Sequence, residues 1–429
     1  MNLQQQILSY LIDDALKKLK KSYRLTEDFL QLKDARRNNS PKTLLSWHEL
    51  FVRCHVLYGE LGGVITRDHW QSPSFGGAVL SEVGDEQGEI IANLSDYKRD
   101  YHHIGAAYER AFARTFRLPN VYITNSGMSA LTVALLMVRQ RLPETYCIAV
   151  GEHSYFENKE IIYMMFPKKH IVLFDELHPD SLRSICPNAI FFDTVANDPD
   201  MTIADVSDIL TVAGSIGCHV DVVVDTTCTS VLHVHIPWSI KIRKNISVIG
   251  FESLNKYHQF GLDRVTGGVL WGYGIEGDTI YRTRDHAGVN ISESSAATLP
   301  TPNRKLFTLY LQRFEQNARY IMNEVKSFPN IQVRGYRFVS VSLANASWRV
   351  YPKLMNTIFR EAKKQGVPLI AGSTFGTPVT RIYTFSPRST FERPFLRIVP
   401  GLETKEQIQQ VADVIRTAML QSGLIGKRG

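Results

Sequence analysis

Apolar runs rich in β-branched residues alternate with stretches of helical periodicity between about residue 96 and residue 300. The runs are VYIT (121–124), YCIAV (146–150), HIVLF (170–174), AIFF (189–192), HVDVVVD (219–225), ISVIGF (246–251) and GGVLWG (267–272). Continuous apolar strands separated by helices are typical of a sheet whose two faces are both covered. This part of the chain is therefore predicted to be an α/β domain.

Helical patterns cover residues 104–116 and 128–142, and the segment IADVSDILTVAGSIG predicts a helix that ends at Gly217. After Pro302 a long helical stretch (305–328) begins a final region that ends in the helix KEQIQQVADVIRTAMLQ. We divide the chain accordingly into an N-terminal helical arm or extension (1–95), a large α/β domain (96–303) and a smaller C-terminal α+β domain (304–429).

The N-terminal arm begins with an amphipathic helix pattern. Its apolar face carries Leu8, Leu11, Ile12, Ala15, Leu16 and Leu19. The segments GELGGVITRDHW (59–70) and SPSFGGAVLSEVGDEQGE (72–89) are rich in glycine and are expected to be irregular. We expect this arm to pack across a subunit interface.

Composition narrows the function classes. The 429 residues are 44% hydrophobic and 21% charged, an ordinary globular balance with no apolar stretch of about 18 residues that could span a membrane. The N-terminus lacks the apolar core of a secretory signal. Five cysteines without CxxC spacing predict neither disulfides nor a metal site and fit a reducing cytoplasm. The net charge of +7 serves solubility or attracts anions, and no nucleic-acid-binding motif accompanies it.

Three chemical features fall where strands are expected to end. Asp225 closes an apolar strand, Lys256 follows another, and residues 125–128 (Asn-Ser-Gly-Met) join a strand to a helix start. Taken singly they read as a strand-end cap, a solvated lysine and an ordinary helix cap. Together they fit pyridoxal 5′-phosphate (PLP): a helix N-terminus for its phosphate, an acid for its ring nitrogen and an amine for its aldehyde.

These residues form part of an ordered series that resembles one enzyme family. The series runs Tyr97, Arg99, Ser126, Gly127, Met128, Tyr155, Asn197, Asp225, Thr227, Ser253, Lys256, Asp263, Gly267, Ser373 and Arg397. It is similar, over roughly residues 95–410, to the Cys/Met-metabolism family of PLP enzymes of fold type I, which includes cystathionine synthases and lyases, methionine γ-lyase and O-acylhomoserine sulfhydrylases. The resemblance implies a mostly parallel sheet of the seven-stranded type in the large domain.

The resemblance also implies a role for each residue. Lys256 would carry the cofactor and move protons, and Tyr155 would stack on its ring and take part in catalysis. Arg397, Ser373 and Asn197 would bind the substrate. The remaining cofactor contacts would be Tyr97, Arg99, Ser126, Gly127, Met128, Asn197, Asp225, Thr227 and Ser253. Because Tyr97 and Arg99 would reach the phosphate of a neighbouring subunit, a homodimer or homotetramer is implied.

Several positions depart from the family pattern. Asn255 stands where a threonine precedes the lysine, although its amide can still donate to a phosphate, so we include it among the cofactor contacts. Phe156-Glu157, Phe260-Gly261, Thr226 and Gly372 also differ from the family residues. These changes lie at substrate-facing positions, so a divergent member with an unusual substrate is expected.

The implied reaction is γ-replacement or γ-elimination on an L-amino acid, through an external aldimine and a β,γ-unsaturated intermediate, in a specialised biosynthetic pathway. Alternatives are β-elimination, transamination or carbon–carbon bond formation with the same cofactor. A non-catalytic scaffold that retains the fold is a further alternative, against which the joint presence of Lys256, Asp225, Tyr155 and Arg397 argues.

Overall fold

The structure is a computed structural model that describes residues 2–19, 44–69, 89–90, 94–95, 103–196, 198–237, 245–328, 331–344, 346–385 and 393–422. The helices are α1 (Leu3–Leu19), α2 (Leu44–His69), α3 (His103–Phe116), α4 (Gly127–Arg141), α5 (Phe156–Met165), α6 (Ser181–Ile185), α7 (Val206–Ala213), α8 (Gly277–His286), α9 (Glu293–Thr298), α10 (Arg304–Val325), α11 (Val350–Gln365) and α12 (Lys405–Gln421). The strands are β1 (Glu89–Ile90), β2 (Leu94–Ser95), β3 (Tyr122–Thr124), β4 (Ile148–Gly151), β5 (Ile171–Phe174), β6 (Ala189–Asp193), β7 (Val220–Asp225), β8 (Ile246–Ser253), β9 (Gly268–Tyr273), β10 (Ile331–Gly335), β11 (Val339–Leu343), β12 (Ile370–Ala371), β13 (Arg381–Phe385) and β14 (Phe395–Val399).

The large sheet has seven strands in the order β3-β9-β8-β7-β6-β4-β5. The five strands from β8 to β5 are parallel, whereas β9 runs antiparallel to both of its neighbours. The central strands of the large sheet are buried along their length because helices cover both of its faces, as their continuous β-branched sequences require. The predicted mostly parallel, seven-stranded α/β architecture is therefore confirmed.

The second sheet is smaller and has the order β10-β11-β14-β13-β12. All of its pairings are antiparallel except that between β12 and β13. It shares a hydrophobic core with α11, α12 and the end of α10. The final helix starts where its sequence predicts, because Thr404 and Gln407 form a reciprocal capping box.

The two sheets are joined through Arg337, which is fully buried at the turn between β10 and β11. Its guanidinium donates to the backbone oxygens of Cys228 and Thr229 at 3.2 and 2.6 Å. It also pairs with Glu315 of α10 at 2.9 Å. The loop that follows β7 is thereby held against the smaller sheet.

Helices α1 and α2 pack into the same hydrophobic core as the large sheet. Leu8, Leu11, Ile12 and Ala15 are buried as the amphipathic pattern predicts, while the side chains of Leu16 and Leu19 lie outside the described set. Tyr58 of α2 donates to the Leu11 carbonyl at 3.0 Å. Packing of this arm across a subunit interface stays a prediction.

Two local predictions were wrong. Residues 59–69 are helical, not irregular, because buried side chains such as Tyr58 and Leu61 anchor α2 despite its glycines. Helix α7 ends at Ala213 rather than at Gly217, since Gly214 already occupies its C-cap. The second glycine-rich segment lies almost entirely outside the described residues. No helix in the described ranges is long and apolar enough to cross a membrane.

Candidate active site

The carboxyl ends of the parallel strands converge on one edge of the large sheet. Asp193 ends β6, Asp225 ends β7 and Ser253 ends β8, while Tyr155 follows β4 after a short turn. Ligands of open α/β sheets bind beyond this edge. The topology thus places the sequence-predicted residues of four different segments around one region.

Two carboxyl groups lie side by side at this edge. Asp193 and Asp225 are register partners on β6 and β7, and the Asn158 amide nitrogen donates to both, at 3.1 Å to Asp193 and 2.9 Å to Asp225. Burial raises the pKa of Asp193 well above its usual range, and the Asp225 carboxylate raises it further. Burial also raises the pKa of Asp225, although hydrogen bonds from Thr227 and Asn158 oppose that shift. Two partly buried carboxyls with raised pKa values form a site that favours a proton or a cation.

The start of α4 (residues 126–128) and Ser253 at the end of β8 form a narrow recess, the cup. Ser126 caps the helix by accepting a hydrogen bond from the Ser129 N–H at 3.0 Å. A Cβ atom at Gly127 would lie 2.9 Å from the Ser253 Cβ, so only glycine allows this approach of helix and strand. Met128 packs into the adjoining core. Free N–H groups of a helix N-terminus attract anions.

Hydrogen bonds join the neighbouring predicted residues to this cup. Thr227 donates its N–H to Asp225 at 2.8 Å, and its hydroxyl accepts the Ser253 N–H at 3.1 Å. The side-chain oxygen of Asn255 accepts the Gly267 N–H at 2.9 Å. The amide nitrogen is therefore the group of Asn255 that could donate to a phosphate.

Lys256 is mostly buried beside the segment that precedes β13. Its amine donates to the Thr374 hydroxyl at 3.1 Å and lies 5.2 Å from the centre of the Phe375 ring. Burial lowers the pKa of Lys256 and the positive charge of Arg397 lowers it further, while Asp263 opposes the shift. Such a lysine holds a larger neutral fraction than a solvated one, as a nucleophile or base requires.

Arg397 extends from β14 and is buried. It donates to the Ser373 carbonyl oxygen, and its guanidinium lies 4.7 Å from the centre of the Phe385 ring. Burial lowers the pKa of Arg397, while Cys228 and Tyr155 oppose the shift. Ser373 thus contributes a backbone oxygen that orients the arginine.

Tyr155 and Cys228 complete the group. The Tyr155 N–H donates to Asp193 at 2.9 Å. Burial raises the pKa of Cys228, the carboxylates of Asp225 and Asp193 raise it further, and the charges of Arg397 and Lys256 oppose the shift. Cys228 therefore lies within electrostatic range of all four charged groups.

Three predicted residues lie outside the described ranges: Tyr97, Arg99 and Asn197. Their contacts therefore stay predictions, as does the sharing of the first two across subunits.

Sequence reasoning missed three residues of this site. Asp193 ends the strand AIFF, one strand over from Asp225, and a carboxylate closing an apolar run is the signal that could have found it. Asn158 lies one turn into α5 and carries no local signal. Thr374, next to the predicted substrate-binding Ser373, accepts a hydrogen bond from the Lys256 amine, and no local sequence signal marks this contact.

The residues fit PLP on their own chemistry. The acid pair offers negative charge for a protonated ring nitrogen, the cup at Gly127 offers N–H donors for a phosphate, and Lys256 offers an amine for an aldehyde.

No protein-family model matches the chain. A curated relative, the "Bifunctional enzyme flvA" of Aspergillus flavus, is 25% identical over 328 residues, an alignment that covers 69% of this chain. The chain spans only 38% of that relative's length.

Solved structures match more of the chain at lower identity. Cystathionine γ-synthase from Xanthomonas oryzae pv. oryzae, in complex with aminoacrylate and cysteine, is 16% identical with a TM-score of 0.62, covering 79% of this chain and 92% of that one. Cystathionine γ-lyase from Lactobacillus plantarum, complexed with L-serine, is 18% identical with a TM-score of 0.61, covering 78% and 92%. Apo CalE6, a methionine γ-lyase from Micromonospora echinospora, is 17% identical with a TM-score of 0.60, covering 80% and 92%. The chain has the fold of these enzymes, as the sequence resemblance implies.

Proposed function

We propose that this chain is a PLP-dependent enzyme that acts on an L-amino acid by γ-replacement or γ-elimination. The observation that carries the proposal is a partly buried acid pair, Asp193 and Asp225, at the same sheet edge as Lys256, a partly buried lysine of lowered pKa. The fold shared with cystathionine γ-synthase, cystathionine γ-lyase and methionine γ-lyase supports it.

When bound, PLP supplies an electron sink for the bond broken at the substrate Cα. Asp225, backed by Asp193, would keep the ring nitrogen protonated, and the N-terminus of α4 would hold the phosphate. Lys256 would anchor the cofactor and, once its amine is released, would take the proton from the substrate Cα.

Arg397 would bind the substrate carboxylate through its planar guanidinium. Its position over the Phe385 ring and its bond to the Ser373 carbonyl fix the fork before substrate arrives. Tyr155, whose backbone N–H donates to Asp193 and whose hydroxyl lies within electrostatic range of Arg397, would be the second group to move a proton.

The absorbance spectrum of the purified protein incubated with PLP tests the cofactor and its anchor. We expect a visible band, distinct from that of free PLP, that Lys256→Ala cannot form and that Lys364→Ala, at an exposed lysine, retains. Reduction with borohydride followed by peptide mass spectrometry should locate the cofactor on Lys256. A wild type without a visible band, or a cofactor reduced onto another lysine, would overturn the assignment.

Product analysis with O-acetylhomoserine or methionine tests the reaction class. Elimination releases a 2-oxo acid and ammonia, whereas replacement yields a new amino acid. An oxo acid formed at the expense of the cofactor's aldehyde, with the γ-substituent retained, would contradict the γ-chemistry and favour transamination. Turnover of O-acetylserine in place of both substrates would favour β-elimination.

The same proposal includes a homodimer or homotetramer whose phosphate sites take Tyr97 and Arg99 from the neighbouring subunit. Mixing Arg99→Ala with Lys256→Ala subunits tests this, because a mixed pair would contain one complete site. Recovery of activity on mixing, together with a dimeric or larger mass by light scattering, is the expected result. Two inactive variants that stay inactive after verified subunit exchange would exclude sharing.

A further inference from the structure

A second cluster of polar groups lies at the ends of β4 and β5, beside the site described above. One ring nitrogen of His153 and one carboxylate oxygen each of Asp175 and Glu176 lie within 4.8 Å of one another. Asp198 approaches from the loop after β6, with its Oδ2 3.1 Å from His153 Nδ1. Three carboxylates thus surround one imidazole.

Glu176 is 4% exposed, so its carboxylate is out of reach of bulk water. It accepts the His153 backbone N–H at 3.1 Å. Across the described ranges, no lysine or arginine forms an ion pair with it. A buried carboxylate in this setting favours a positive charge nearby.

Ser154 provides an independent observation. Its side chain is buried (6% exposed), and its hydroxyl has no hydrogen-bond partner among the described residues. A Cβ atom at Gly151 would lie 2.8 Å from this hydroxyl oxygen and 2.2 Å from Glu176 Oε1. The unpartnered hydroxyl and the buried carboxylate therefore face the same small space, which the missing side chain of Gly151 leaves open.

We propose that His153, Asp175 and Glu176, with the Ser154 hydroxyl, bind a divalent first-row transition metal ion such as Zn²⁺. Imidazole and carboxylate donors without sulfur suit these ions, at bond lengths of about 2.0–2.2 Å. Donor atoms within 4.8 Å of one another can surround one such ion after a small contraction.

In this arrangement Asp198 would bind His153 and not the ion itself. If His153 Nδ1 donates to Asp198, the lone pair for the metal is on Nε2, and the carboxylate fixes the ring's orientation. The scattered cysteines predicted no metal site. That prediction concerns cysteine ligands and does not apply to this cluster, which contains no cysteine.

The ion would be bound by His153, two residues before Tyr155, whose N–H donates to Asp193. It would also draw in the loop that carries Asp198. Metal binding would therefore brace two loops at the edge of the proposed cofactor site, while requiring no PLP itself.

Calorimetric titration of the chelator-treated, PLP-loaded full-length chain with ZnCl₂ tests the site. We expect one saturable equivalent, at least tenfold weaker in His153→Ala and in Glu176→Gln. His219→Ala is the matched control, since that histidine also lies 3.1 Å from an aspartate but outside the cluster, and it should bind as wild type does.

Asp175→Asn, at a half-exposed side chain whose hydrogen bonds to Leu177 and His178 an amide can partly keep, decides the case if another variant fails to fold. Lys256→Ala should still bind Zn²⁺, so the metal site survives even if the PLP assignment fails. The absence of saturable binding in wild type, or equal affinity in wild type, His153→Ala and Asp175→Asn, would overturn the proposal.

Discussion

Replacing Asp193 by asparagine should stabilise the cofactor-free protein at alkaline pH. Asn158 lies 3.1 Å from one carboxylate and 2.9 Å from the other, so the oxygens that share it are at most about 6 Å apart. Two negative charges at that separation repel by about 3 kcal/mol for an effective dielectric constant of about 20. The repulsion is removed when one of the pair is neutral.

The sign of the pH dependence follows from the raised pKa of Asp193. A carboxyl whose folded pKa lies above its unfolded value contributes stability that is fully present below the unfolded pKa, near ~3.9. That stability is lost as the pH rises through the higher folded pKa. The wild type should thus lose stability between mildly acidic and alkaline pH, and Asp193→Asn should lose less, by about 1 to 3 kcal/mol.

Urea unfolding of the cofactor-free protein at pH 5 and pH 8 measures the effect. Asp208→Asn removes the same charge from an exposed helix position and serves as the control. Loading with PLP should reduce the difference, since a protonated ring nitrogen supplies the missing positive charge. Equal pH dependence in wild type and Asp193→Asn would refute the account of a repelling acid pair.

Three further changes probe the site and its frame. Gly127→Ala should weaken PLP binding at least tenfold in a fluorescence titration, because the added Cβ would press on Ser253. The control Gly217→Ala, with open space around it, should bind PLP as wild type does. Equal PLP affinity in both variants would contradict the proposed phosphate site at the start of α4. Arg397→Lys should raise KM for the amino acid more than it lowers kcat in steady-state assays, since lysine cannot form the two parallel hydrogen bonds of a planar guanidinium. An unchanged KM would show that Arg397 does not bind the substrate. Arg337→Met should cost about 1–3 kcal/mol in urea unfolding, because the buried Thr229 carbonyl loses its donor and the partly exposed Glu315 loses its cation. A cost under about 0.5 kcal/mol would show that the bridge is dispensable.

The strands could be predicted because burial on both faces forces a continuous apolar sequence. The run HVDVVVD matches β7 except for its first residue, His219, and the final helix begins at Lys405 as its cap indicates. Helix α2 could not, since its glycines oppose a helix locally and only packing by Trp47, Tyr58 and Leu61 overrides them.

Site residues were predictable to the extent that they follow strand ends in sequence. Asp225 and Lys256 do so directly. Asn158 joins the site only because α5 folds back over β6 and β7, and Thr374 only because the chain before β13 passes Lys256. Contacts between segments far apart in sequence leave no mark on local periodicity.

The position of β9 between β3 and β8 has a consequence for synthesis on the ribosome. Tyr122 of β3 pairs with Leu270 of β9. Strand β3 therefore cannot form its native pairing until nearly 150 further residues have been translated, which takes roughly 10–30 s. Helix α1 waits longer, because Gln4 donates to the Leu402 carbonyl at 2.9 Å. Helix α2 covers part of the apolar stripe of α1 early, since Tyr58 donates to the Leu11 carbonyl. The rest of the stripe lacks its native partners until the C-terminal region is made, and the nascent chain should depend on a chaperone to shield it.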